Sequence, residues 1–109
     1  MNGPYTILND SAYIITDCLD MIGKYLFLAK KDVFYLARLQ RRSAELKELV
    51  AETPELDCNL RIAATTAAQA ADLATLYGHR KEAEKEWLED AADILEVAKR
   101  ALKRYEARN

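Results

Sequence analysis

The residues able to carry chemistry are few in this chain. His79 is the only histidine, and it follows Gly78 at an expected turn, where a capping or solvated role suits it. Di-iron bundles use two Glu-x-x-His motifs, but Leu76 stands three residues before His79. Zinc sites of the His/Cys type fall short of ligands, and a nucleophilic triad would depend on His79 alone. The sequence holds no glycine-rich phosphate loop. Cys18 and Cys58 are the only cysteines. Both fall within helical patterns and read as small buried apolar groups in a reducing compartment, not as a disulfide framework.

Carboxylates offer one enzymatic idea. Glu45 and Glu48 share a helix face, as do Asp90 with Asp93 and Glu86 with Glu89. Two such pairs on facing helices would give magnesium the oxygen-rich setting of a metal-dependent all-α nucleotide pyrophosphohydrolase. These acids alternate with lysines, which is the pattern of an ordinary solvated face. The chain is therefore read as non-enzymatic, with no catalytic residue, cofactor or metal assigned. Two basic clusters, Arg38, Arg41, Arg42 with Lys47 and Lys99, Arg100, Lys103, Arg104 with Arg108, make a nucleic-acid-associated regulator the alternative. No recognition-helix signature or exposed stacking aromatics accompany them, so structural charge is preferred and nucleic acid is not the expected partner.

The elements that must carry these residues are helices. Of 109 residues only three are Gly and two Pro, too few turn formers for a sheet protein, while Ala and Leu favour helix. With 50% apolar and 31% charged residues, the chain reads as one globular helical-bundle domain over residues 1–109. A net charge of −2 opposes broad attraction to nucleic acid or anionic membrane. The greasiest region, Ala12 to Leu39, is interrupted by Asp17, Asp20, Lys24, Lys30, Lys31, Asp32 and Arg38, which excludes a membrane span. No basic stretch followed by an apolar run opens the sequence, so a cytoplasmic setting is expected.

Three long heptad-patterned helices are expected, over about 10–52, 54–77 and 80–107. Ile15, Leu19, Ile22, Leu26, Ala29, Val33 and Leu36 alternate spacings of four and three, a coiled-coil-like seam. Gly23 weakens that helix by roughly 1 kcal/mol without ending it. Thr53-Pro54-Glu55 suits a helix start and Gly78 a left-handed stop. The second seam is Leu60, Ala63, Ala67, Ala70, Ala74 and Tyr77, whose small residues permit close approach. The third is Trp87, Ala91, Ile94, Ala98, Ala101 and Tyr105, flanked by Leu88, Leu95 and Leu102.

The first helix is apolar well beyond its seam. Ile14, Met21, Leu28 and Tyr35 recur at seven-residue intervals, and Tyr13, Phe27 and Phe34 occupy another phase. The solvated line Asp17, Lys24, Lys31 and Arg38 holds phase through Lys30-Lys31-Asp32 with no Gly or Pro. One continuous rod, on the order of 60 Å long, is the simplest reading. The alternative is a bend at Lys30 to Asp32, with Asp32 capping a new helix in a four-helix monomer. A rod outreaches its two shorter neighbours and leaves Tyr13, Ile14, Met21, Phe27, Leu28, Phe34 and Tyr35 as a partner or oligomer interface. The expected function is thus a helical interaction module, an adaptor, assembly factor, chaperone or inhibitor, that forms a homodimer or docks a protein. Light scattering coupled to gel filtration checks the rod: a dimer mass at micromolar concentration is expected, and a monomer ends the dimer reading.

Overall fold

The computed structural model describes residues 4–78 and 86–108, with side chains described over 10–78 and 87–108. Four helices follow one another: α1 (Pro4–Ala29), α2 (Phe34–Glu52), α3 (Cys58–Gly78) and α4 (Glu86–Arg108). No strand occurs among the described residues. The fold is an all-α bundle in its four-helix form, and the single rod over 10–52 does not exist.

The break is made by polar groups. The amides of Lys31 and Asp32 both donate to the Leu28 carbonyl, at 3.0 and 3.2 Å, closing the last turn of α1. Asp32 Oδ1 then accepts the Phe34 amide at 2.9 Å in an Asx turn, and two short-range bonds, Tyr35 to Asp32 and Leu36 to Val33, launch α2. Val33, placed on the seam by its spacing, is 64% exposed. Leu36, Leu39 and Leu46 resume the buried line on the returning helix. A link of four residues is close to one helical turn, so apolar positions keep their sevenfold spacing whether the chain runs straight or folds back.

Neighbouring helices run antiparallel. Asp17 meets Arg42 across α1 and α2, Ser43 meets Asp72 across α2 and α3, and Asn59 meets Arg104 across α3 and α4. α3 touches all three other helices, whereas α2 and α4 do not touch. That central place explains why α3 is buried on two adjoining lines, the expected Leu60, Ala63, Ala67, Ala70 and Ala74 and a second of Ala64, Ala68, Ala71 and Thr75, while Tyr77, expected to end the first line, is half-buried. The inner face of α1, from Ile15 through Cys18, Leu19, Ile22, Tyr25 and Leu26 to Ala29, is fully enclosed. Folded back in this way, the stretch needs no second chain for cover.

Three helix limits differ from expectation, the first being α1, which begins at Pro4 and not near residue 10. α3 starts at Cys58, not at Pro54, because Asp57 Oδ1 accepts the Asn59 and Leu60 amides at 2.8 and 3.4 Å, an N-cap with a built-in negative charge at the positive end of the helix. Thr53 and Leu56 are buried in the link before it. Gly78 ends α3 without a left-handed conformation, since no described glycine has positive φ. On α4 the buried residues are Leu88, Ala91, Leu95, Ala98, Ala101 and Leu102, so the expected Ala91, Ala98 and Ala101 are enclosed while Trp87, Ile94 and Tyr105 are half-buried beside them. The expected start of that helix over 80–85 lies outside the described residues.

The two described glycines serve opposite purposes. A Cβ at Gly23 would meet Leu95 Cδ2 at 3.5 Å, an ordinary contact, whereas one at Gly78 would come within 2.7 Å of Leu36 Cδ2. Leu36 is 1% exposed and has nowhere to go. Gly23→Ala is expected to stabilise the fold by about 1 kcal/mol through helix propensity. Gly78→Ala sits at a helix end, where that gain is small, and is expected to cost about 1 kcal/mol by overpacking. Urea midpoints at unchanged slope read both effects.

Candidate interaction site

The site grows out of the α1–α2 hairpin. Arg42, only 24% exposed, places one guanidinium nitrogen 3.1 Å from Glu45 Oε2 and 3.6 Å from Asp17 Oδ2. Cys18 lies beneath them, its thiol donating to Glu45 Oε2 at 3.6 Å. Burial, reinforced by the Glu45 charge, pushes the Cys18 thiol up to about 11, so it stays protonated and is a poor nucleophile. Further along, the Arg38 guanidinium beside Tyr25 holds its phenol below the usual range, against the opposing pull of burial.

Around Arg38 the hairpin gathers rings. Tyr25 and Tyr35 stack with centroids 5.9 Å apart, and Phe34 meets Tyr35 edge-on at 5.9 Å. The Arg38 guanidinium lies 5.4 Å from the Phe34 ring and 5.8 Å from each tyrosine ring. Such placements are attractive because ring faces are electron-rich. Tyr25, Phe34, Ala37, Arg38, Arg41 and Arg42 enclose an open cleft of about 410 Å³. Among the described residues neither Arg38 nor Arg41 pairs with a carboxylate. On the other side of α1, Lys30 and Lys31 cover the Phe27 ring at 5.6 and 6.0 Å.

The seven residues expected to form one interface are divided. Tyr13 (75% exposed), Ile14 (39%), Phe27 (61%) and Phe34 (60%) present themselves to solvent. Met21, Leu28 and Tyr35 are half-buried against the core. Phe34 and Tyr35 join the arginine cluster, while Phe27 lines a separate cleft of about 260 Å³ between α1 and α4. Tyr13 and Ile14 sit on the order of 20 Å from Phe27 along the helix. Two residues were missed: Val33, carried outward by the turn, and Tyr25, which supplies a cleft wall. The expectation that no exposed stacking aromatics accompany the arginines is also overturned by Phe34. Its spacing of four from Arg38 was visible, but it means adjacency only once α2 is known to start there.

Other expectations resolve against geometry. The acidic pairs do not face one another, because Glu45 and Glu48 ride on α2 and Asp90 and Asp93 on α4, helices that share no contact. No group of three or more His, Cys, Asp and Glu gathers among the described residues. Cys58 is exposed at the start of α3, not buried, and both cysteines are free thiols. Lys99 is engaged by Glu96 and Arg104 by Asn59. His79 and the Glu86 side chain lie outside the described residues. No described helix is long and apolar enough to cross a membrane. Comparison with family models, curated proteins and solved structures yields no match to this chain.

The two thiols provide a direct check of this geometry. In the native protein at mildly alkaline pH, Cys58 is expected to react quickly with a disulfide reagent and Cys18 only after denaturant is added. Cys58→Ser should remove the fast phase alone. Two fast thiols would show that the hairpin does not enclose Cys18.

Proposed function

We propose that this chain is a non-enzymatic helical interaction module that docks a partner protein through α1 and the turn joining it to α2. The observation that carries this reading is the clustering of Phe27, Val33 and Phe34, each more than half exposed, within a short segment at one end of the bundle. Scattered exposed apolar side chains are normal on any surface. Three large ones crowded around a single turn, two of them aromatic and roofed by cations, have the composition of a contact surface. The core does not require them there, since Leu36, Leu39 and the inner face of α1 already close the hairpin without them.

An external protein fits this surface better than an obligatory second copy, because the enclosed α1 no longer calls for one. Two free thiols, one of them exposed, suit a reducing, cytoplasmic setting. A photo-activated cross-linking residue placed at Phe27 or Phe34 in the native cell tests the proposal. Discrete protein adducts are expected from those positions and not from Ala44, an exposed residue on α2 away from the turn. Equal or absent adducts at all three positions would remove the module reading.

A further inference from the structure

The cleft beside Arg38 says what kind of protein the module takes, an inference that rests on the docking reading above. Charge is unevenly spread along the chain. Residues 24–42 carry six Lys and Arg against one carboxylate, Asp32, leaving ten against seventeen in the remainder. A chain with net charge −2 therefore concentrates positive charge on its aromatic end. Within that end the arginines are not equivalent. Arg42 is already matched by Asp17 and Glu45, whereas Arg38 and Arg41 have no carboxylate among the described residues.

Arg38 is held within 6 Å of three rings, so its planar fork is oriented before any partner arrives. Less side-chain freedom is then lost on pairing, and a guanidinium matches a carboxylate with two parallel hydrogen bonds. The adjoining walls, Phe34, Ala37 and the Tyr25 ring, offer apolar surface next to those donors. We infer that the cleft of Tyr25, Phe34, Ala37, Arg38 and Arg41 receives an acidic amphipathic segment of a partner protein, carboxylates on the two arginines and an apolar side chain against Phe34. A nucleic acid is a weaker match. Only two unmatched arginines line the cleft, and Glu89, Asp90, Asp93 and Glu96 on α4 belong to the strongly acidic remainder that repels a polyanion.

Fluorescence anisotropy on the full chain decides the matter with three labelled probes: a short Glu/Leu-rich helical peptide, the same peptide with every Glu replaced by Gln, and oligo(dT). The Glu peptide is expected to bind about tenfold more tightly than the Gln peptide and to weaken with salt. Arg38→Gln and Arg41→Gln should each cost about tenfold on the Glu peptide and little on the Gln peptide, and Phe34→Ala should weaken both. Arg104→Gln, distant from the cleft, should change nothing, and circular dichroism confirms that each variant is folded. Equal affinity for the two peptides, tighter binding of oligo(dT), indifference to Arg41→Gln, or a dimer mass with no peptide bound each overturns the inference. Adducts from Phe34 alongside any of these results would leave the docking module standing and discard only its acidic partner.

Discussion

The reversal of the chain between Ala29 and Phe34 is the constraint on which the rest of this structure depends. It is made without glycine or proline, by one carbonyl that accepts two amides and one carboxylate that accepts a third. Hydrogen bonds of this kind contribute little net energy each, so the turn does not drive folding. What drives it is the apolar face of α1, from Ile15 to Ala29, closing against Leu36, Leu39 and Leu46. The turn decides where the two faces meet, and Arg42, paired with Glu45 on its own helix, reaches across the hairpin to Asp17.

Once the hairpin is set, α3 has one place to go. Ser43 occupies a buried heptad position of α2, an awkward place for a hydroxyl unless it has a partner. It donates to Asp72 Oδ1 at 2.6 Å, and the other oxygen of that carboxylate takes Lys47 Nζ at 2.6 Å. These contacts tie α2 to α3 at a single register, while no buried side-chain polar atom among the described residues is left unmatched. α4 then closes the bundle against α3 and the far flank of α1. The outward consequence is that the aromatic and arginine residues of α2 face solvent at the hairpin end, with α4 on the opposite side.

Much of this was legible in the sequence. The helical class, one of the two buried alanine lines of α3 (Ala63, Ala67, Ala70 and Ala74) and the unusual greasiness of α1 all follow from periodicity and composition. The helix break was not, for a definite reason: a four-residue link preserves heptad phase, so Leu36 and Leu39 look the same on a rod as on a returning helix. Asp32 was the visible clue, and its weight depended on knowing that the turn bonds to Leu28 would form. The cleft shared this obscurity. Phe34 and Arg38 are four apart, yet Tyr25 reaches them only through the reversal. Gly78 was misread because its need for smallness comes from Leu36 across the bundle, a contact that local signals cannot report.

The alanine lines of α3 have an effect of their own on how this protein tolerates change. Because Ala63, Ala64, Ala67, Ala68, Ala70, Ala71 and Ala74 are all buried, the central helix is held by nearness of backbones more than by bulk of side chains. Removing even the one methyl costs about 1 kcal/mol of helix propensity, and a single added branch must push a whole neighbouring helix aside. Tyr13 and Phe27 on the outer side of α1 have the reverse character, since both stand mostly in solvent. The spine therefore resists change in either direction, while the exposed rim around Phe27, Val33 and Phe34 can take substitutions that displace no neighbouring helix.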